Sequence, residues 1–365
     1  MTSSPKKLSD IRCLLQARIL EGKWKAGEKL PTDAELAQEL ECSVGTLSKA
    51  LGFLVHDGFM SRRPKAGTIV LKNSASSRPP AVQLDAFAVI YPSEQHEGIA
   101  RMLRGFHEAN LEKGRRLVLL PTGLDFRKEA ELLASLAEFD VKGAVACPVT
   151  ATPQDQLNVQ TLLLRSKVPV VLMGAYHPGF AAGAVHLDNF ASGYKMTRYL
   201  IDKGARKIGF LANWSWVEFV RERLGGYQWA MREAGIEVPS AWTYLANAMH
   251  ANLGDPLAEP EAIATGFLAT RPGVDAVVCA DDFLAVGLAR AAARIGLRVP
   301  KDLKITGMEN MEISRTGPVP MTTLDVPFEV IGRRSLELLD CIVSGASRPN
   351  DDIKVFGEIV ERKSA

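Results

Sequence analysis

The chain has 365 residues, 47% hydrophobic and 24% charged, enough apolar content for two or three packed domains. Its net charge of +2 hides an asymmetry: residues 1–72 carry +4 and the remainder −2, which suggests a polyanionic partner for the head alone. Five single cysteines, without a Cys-x-x-Cys pair, argue against a disulfide framework or zinc ribbon, and the chain shows neither a secretory signal nor a run long enough to cross a membrane, so a cytoplasmic protein with no membrane partner is expected.

In chain order, Leu8, Ile11, Leu14, Leu15 and Ile19 fall on one face of a first helix. GKWKAGEKLP turns the chain at Gly22 and Gly27. Thr32 or Asp33 caps a second helix with Leu36, Ala37 and Leu40 inward, and Ser43 caps a third with Leu47, Leu51, Leu54 and Val55 inward. Asp57-Gly58 ends that helix, and FMSRRPKAGTIVL reads as two strands joined at Pro64–Gly67. KNSASSRPPAVQLD is rich in Ser, Ala and Pro and lacks periodic apolar residues, so a linker over 72–84 divides a head, 1–71, from a body, 85–365.

The body alternates buried-strand signals with amphipathic helices. Strands are expected at Phe87–Tyr91, Arg116–Leu120, Gly143–Cys147, Pro169–Met173, Lys207–Leu211, Ala276–Ala280 and Lys304–Met308. Helices such as IARMLRGFHEANLEKG and YKMTRYLIDKG lie between them. The alternation implies α/β architecture with parallel sheets, and roughly ten strands in all imply two lobes with a cleft at the strand C-terminal ends.

Helix, turn, helix and β-wing is the layout of a winged helix-turn-helix, whose third helix enters the DNA major groove. GKWKAGEKLPTDAELAQEL, CSVGTLSKAL, HDGFM and AGTIV, in this order and spacing, resemble the GntR family of bacterial transcription regulators over residues 8–71. The resemblance implies a double-stranded DNA operator as partner. Candidate contacts are Lys7, Thr32, Ser43, Thr46, Ser48, Lys49, Arg62, Arg63, Lys65 and Gly67, with Arg62, Arg63 and Lys65 holding phosphates. The family commonly has arginine at the position of Val44, and some members at Ala34 and Ser48; all three are absent here. Arginine on guanine is the commonest specific contact, so an operator read through other bases or through its shape is expected.

Residues 85–365 resemble the effector domain of LacI/GalR regulators, which is similar to periplasmic sugar-binding proteins. The match is carried by VHLDNFASGYKMTRYLIDKGARKIGFLAN, RERLGGYQWAMREAGI, CADDFLAVGLARAAARIGLRVPKDLKITGMEN, TTLDVPFEVIG and GEIVERKS. A GntR-like head on such a body is the arrangement of the arabinose-repressor group. The family's ligand-gripping arginine falls on Arg223, its polar residue after the AVVCA strand on Asp281, and its acid after the GM turn on Glu309, where the family more often has Asp. Asp282 is expected to cap the following helix, and Asp188 to lie near the cleft. Carboxylates and an arginine fork suit sugar hydroxyls, which both donate and accept, while Trp214, Trp216, Phe283 and Tyr91 are candidate platforms for an apolar ring face.

Catalytic signatures are missing: HEGIA and HEANL lack the second histidine of a zinc motif, GKWKAGEK lacks the phosphate-loop lysine, and no Gly-x-Ser-x-Gly occurs. Asp281 and Glu309 could form a glycosidase-like pair, but gripping a hydroxyl suits them better. The expected protein is therefore not an enzyme and needs no metal or cofactor. It is a ligand-responsive repressor, a homodimer on a palindromic operator, with a sugar-like small-molecule effector. Rival readings are a receptor module with no DNA role and a regulator sensing a purine or another metabolite.

Overall fold

A computed structural model describes residues 8–20, 22–56, 59–63, 67–71, 86–123, 126–148, 152–177, 182–247, 254–270 and 272–365. It divides into two compact units, Met1–Val82 and Gln83–Ala365. The expected linker, the Asp57-Gly58 helix end, most of the wing turn, Lys7 and Lys65 lie outside the described residues.

The head contains α1 (Leu8–Leu20), α2 (Asp33–Glu39), α3 (Val44–His56), β1 (Met60–Arg63) and β2 (Gly67–Val70), with the two strands antiparallel. Ile11, Leu15, Ile19, Leu36, Leu40, Leu47, Leu51 and Leu54 close one core. One expectation is corrected here. Leu14 is substantially exposed, because the stripe through Ile11, Leu15 and Ile19 advances by four residues and leaves position 14 off its axis. Trp24, read as part of a turn, is buried in the core. Thr32 rather than Asp33 caps α2, in a reciprocal capping box with Glu35.

The body is built from two six-stranded sheets. In chain order its elements are β3 (Ala86–Tyr91), α4 (Glu97–Lys113), β4 (Arg116–Pro121), α5 (Phe126–Ser135), β5 (Val141–Ala146), α6 (Pro153–Arg165), β6 (Val170–Met173), β7 (Gly183–Leu187), α7 (Asn189–Asp202), β8 (Ile208–Ala212), α8 (Glu218–Glu233) and β9 (Thr243–Leu245). They continue with α9 (Ala258–Ala269), β10 (Ala276–Cys279), α10 (Asp282–Arg294), β11 (Lys304–Glu309), α11 (Ile313–Thr316), β12 (Thr322–Asp325), α12 (Phe328–Val343), β13 (Asp352–Val355) and β14 (Glu358–Val360). The first lobe's sheet runs β13-β7-β6-β5-β3-β4 and the second's β14-β12-β11-β10-β8-β9; only β14 is antiparallel to its neighbour. The chain passes between lobes after β7, after β12 and between β13 and β14, so α12 packs on the first lobe although it follows second-lobe strands.

Each lobe is braced by a helix pair in near-backbone contact. A Cβ on Gly105 of α4 would lie 2.0 Å from the Glu329 carbonyl of α12, and one on Gly332 of α12 would lie 1.8 Å from the Met102 carbonyl. The second lobe repeats the device: Gly193 of α7 faces the Arg223 carbonyl and Gly226 of α8 the Phe190 carbonyl, each at 2.0 Å from an added Cβ. Only glycine permits this approach. At the edge of the first sheet, His186 is buried and stacked on Tyr176, with its ring nitrogens 2.9 Å from the Leu187 carbonyl and 2.8 Å from Asp352. That pairing ties β7 to β13 and explains a polar residue in a buried strand.

Candidate functional site

On the head, the start of α3 is stitched to itself. Ser43 Oγ accepts the Thr46 amide at 3.0 Å and lies 2.8 Å from Thr46 Oγ1, which makes Ser43 the cap expected. Arg62, on β1, donates to Ser48 Oγ at 3.0 Å and forms an ion pair with Asp33 at the start of α2. Five of the sequence-predicted contact residues, Thr32, Ser43, Thr46, Ser48 and Arg62, thus have internal partners, whereas Lys49 is exposed. Gly67 opens β2 at φ +90°, and its added Cβ would strike Lys29, so this position requires glycine. Arg63 ends β1. Val44, the first residue of α3, is 50% exposed.

In the body, strand order reverses between β3 and β5 in one sheet and between β8 and β10 in the other. Crevices open at such switch points, beyond the strands' carboxyl ends. The two crevices face one another: Glu97, at the start of α4 after β3, accepts the backbone N–H of Glu312 at 2.7 Å and pairs with Arg315 at 3.6 Å, both beyond β11. These contacts join the lobes across the cleft.

Arg223 reaches the second crevice from α8 and is only 4% exposed. Its Nε donates to Asn189 at 3.0 Å, its Nη1 donates to the Ala280 carbonyl, and its guanidinium lies 4.9 Å from the centre of the Phe219 ring. Glu309 Oε1 is 3.9 Å from Nη1. Burial lowers the arginine's pKa and raises those of Glu309 and Asp281, while Arg223 pulls both acids back. Asp281 is pushed up to about 7, first by desolvation and then by the Glu309 charge. Glu309 holds a backbone φ of +105°, an unfavourable conformation for a residue with a side chain, at the end of β11. The structure therefore brings Arg223, Asp281 and Glu309 together as one largely buried polar group.

The cap of α10 corrects the expectation for Asp282. Asp281, not Asp282, accepts the Leu284 amide, at 2.7 Å. The fully buried Asp282 accepts instead from the Met311 amide at 2.7 Å and from Thr323 Oγ1 at 2.6 Å, fastening the turn that carries Glu309. Gly307 leaves the room for this, since a Cβ there would lie 2.2 Å from Asp282 Oδ1.

The remaining candidates spread around the cleft. Tyr91 ends β3, buried, and its hydroxyl donates to Glu94 at 2.6 Å, so the residue offers a wall rather than a free donor. Burial and Glu94 push that phenol up to about 12. Trp214 stands at φ +46° with its ring edge-on to Phe219, and the buried indole nitrogens of Trp214 and Trp216 have no acceptor among the described residues. Phe283 is half-buried in the first turn of α10. Asp188 caps α7 through the Ala191 amide at 2.8 Å and lies 3.7 Å from Lys354, so both its oxygens serve the lobe crossover. The neighbour that touches Arg223 is Asn189, which sequence reasoning passed over, as it did Glu97. Their only sequence signal is a place in the first turn of a helix after a strand.

Comparison with known proteins follows the two units. Residues 7–70 match the model for bacterial regulatory proteins of the gntR family, and residues 197–365 that for a periplasmic binding protein-like domain. The arabinose metabolism transcriptional repressor of Geobacillus stearothermophilus is 28% identical over 351 residues, 94% of this chain and 92% of its own. The HTH-type transcriptional repressor PurR of Photobacterium profundum is 29% identical over 73% of this chain and 76% of its own. Among solved structures, transcription regulator CcpA of Lactococcus lactis aligns at TM-score 0.67 and 25% identity, over 76% of this chain and 98% of its own. The chain joins a gntR-family helix-turn-helix domain to a periplasmic-binding-protein-like domain.

Proposed function

We propose that this protein is a transcription regulator, acting as a repressor, whose hold on operator DNA is set by a small polar effector bound between the lobes of its body. The reading gives residues 1–71 to DNA, 72–84 to a linker and 85–365 to effector binding and dimerisation. The observation that carries it is the Arg223–Glu309–Asp281 group at a strand-order switch point, in a chain that also has a winged helix-turn-helix. Arginine donates, the carboxylates accept, and the unpaired indole N–H groups of Trp214 and Trp216 add donors, a set suited to a polyol. Relatives spanning nearly the whole chain are named arabinose metabolism repressors, which favours a sugar. The PurR relatives, matched over about three quarters of the chain, favour a purine as the second reading.

A homodimer fits the exposed apolar edge strand β4, RLVLLP, where Leu119 is half exposed and would be covered by a second copy. By linkage, effector and DNA must oppose each other by equal factors, about 1–3 kcal/mol in couplings of this kind. The test is binding to the duplex upstream of the protein's own gene, beside a scrambled duplex, titrated against salt and then against sugars and purines. Preference for the native duplex that one ligand class weakens supports the reading. Operator affinity unchanged by every ligand refutes the effector role, and equal weak binding to both duplexes refutes recognition of that operator.

A further inference from the structure

We infer that Val44 reads a thymine methyl group in the major groove and so sets a T·A pair at the base that the start of α3 faces. The inference rests on the head's being a DNA reader, as proposed above. Val44 is the first residue of α3 and half of its surface is open to solvent, although it is apolar and plays no part in the head core. The polar side chains beside it are engaged internally. Ser43 Oγ holds the Thr46 amide and meets Thr46 Oγ1, and Ser48, on the same helix face one turn on, accepts from Arg62. Lys49 lies about 140° around the helix from Val44 at the α-helical advance per residue. Gly45 adds no side chain at all, so the isopropyl group stands clear at the leading end of the helix.

Such a surface has little to offer a purine edge, where recognition consists of hydrogen bonds to N7, O6 or N6. The single apolar group a base pair shows in the major groove is the thymine C5 methyl, and a branched aliphatic side chain can bury it. Near-neutral chemistry at α3 is thereby a means of choice rather than a lack of one.

The experiment begins with selection of duplexes by the full-length chain from a randomised library. Each thymine in the selected half-site is then replaced by deoxyuridine, which lacks only the methyl, and affinities are measured for wild type and Val44→Ala. One thymine per half-site is expected to lose about fourfold in affinity with wild type on removal of its methyl, and to lose little with Val44→Ala. Selection with Val44→Arg is expected to return guanine at that place. If no thymine shows a methyl effect, or if deoxyuridine weakens wild type and Val44→Ala alike, Val44 does not read the methyl, while the selected sequence still stands as an operator. If no sequence is enriched, the DNA-reading role itself falls, and Val44's with it.

Discussion

Asp281→Asn tests the electrostatics of the cleft directly. Asp281 titrates near 7 in the folded chain against an ordinary 3.8, because burial and the adjacent Glu309 disfavour its charge. A carboxyl whose folded pKa is raised contributes most below the unfolded value, and the contribution is lost as pH climbs from about 4 through 7. Over that window the wild-type body is expected to lose about 2–4 kcal/mol on this account, the lower figure allowing for water at the cleft. Asparagine keeps the oxygen that accepts the Leu284 amide and is as good a helix cap, but cannot ionise. The assay is urea unfolding of both proteins at pH 4.5, 6 and 8, followed by tryptophan fluorescence, with the difference between them cancelling the titrations that are not coupled to Asp281. Asp281→Asn should match wild type near pH 4.5 and exceed it by about 2–4 kcal/mol at pH 8. A variant less stable than wild type at pH 8, or an offset independent of pH, would refute the assignment of a buried, mutually repelling acid pair. Stability lost by keeping a carboxylate here is the cost expected of the effector-binding role proposed above.

Other substitutions probe separate levels of the structure. Gly332→Ala drives a Cβ against the Met102 carbonyl and should cost about 3 kcal/mol, read from the same unfolding curves. Gly45→Ala, whose Cβ would meet only Ser43 Oγ at 3.9 Å, should instead stabilise α3 by about 0.5–1 kcal/mol. Thr32→Ala removes the side-chain half of the α2 capping box while its backbone N–H still reaches Glu35, and should cost about 1 kcal/mol, seen as earlier melting of the head. Glu97→Ala unfastens the Glu312 amide and Arg315 from the first lobe, and small-angle scattering should record a larger radius of gyration without effector.

Periodicity carried the larger part of the fold into view. The seven expected strands match β3, β4, β5, β6, β8, β10 and β11 to within two residues at their ends, because each is a short apolar run between turn signals. The strands missed are of another kind. Asp352–Val355 and Glu358–Val360 alternate charge with aliphatics at sheet edges, Thr322–Asp325 is half polar, Thr243–Leu245 is three residues long, and Gly183–Leu187 includes a histidine whose Nε2 finds its partner in the distant Asp352. The candidate site divides in the same way. Arg223, Asp281 and Glu309 are named through the resemblance to LacI/GalR effector domains, whose ligand residues hold a fixed position relative to a strand end or a Gly-aromatic pair. Asp282 could not be assigned locally: its partners Met311 and Thr323 are 29 and 41 residues away, and adjacent aspartates at a helix start look interchangeable until the turn after β11 folds over one of them. Asn189 and Glu97 were illegible for the same reason, since their partners come from other elements.

The passage of α12 back to the first lobe bears on how the protein is made. The head's hydrophobic core is made up entirely within the first 71 residues, so it can fold as soon as it leaves the ribosome. The first lobe cannot follow suit, because α4 lacks the helix that covers Gly105 until residue 343 is made and β7 lacks its outer neighbour until residue 355. Translation therefore holds a finished DNA-binding module ahead of an unfinished sensor for most of the chain's length. Chains cut short before α12 would lack a complete first lobe while their heads are whole.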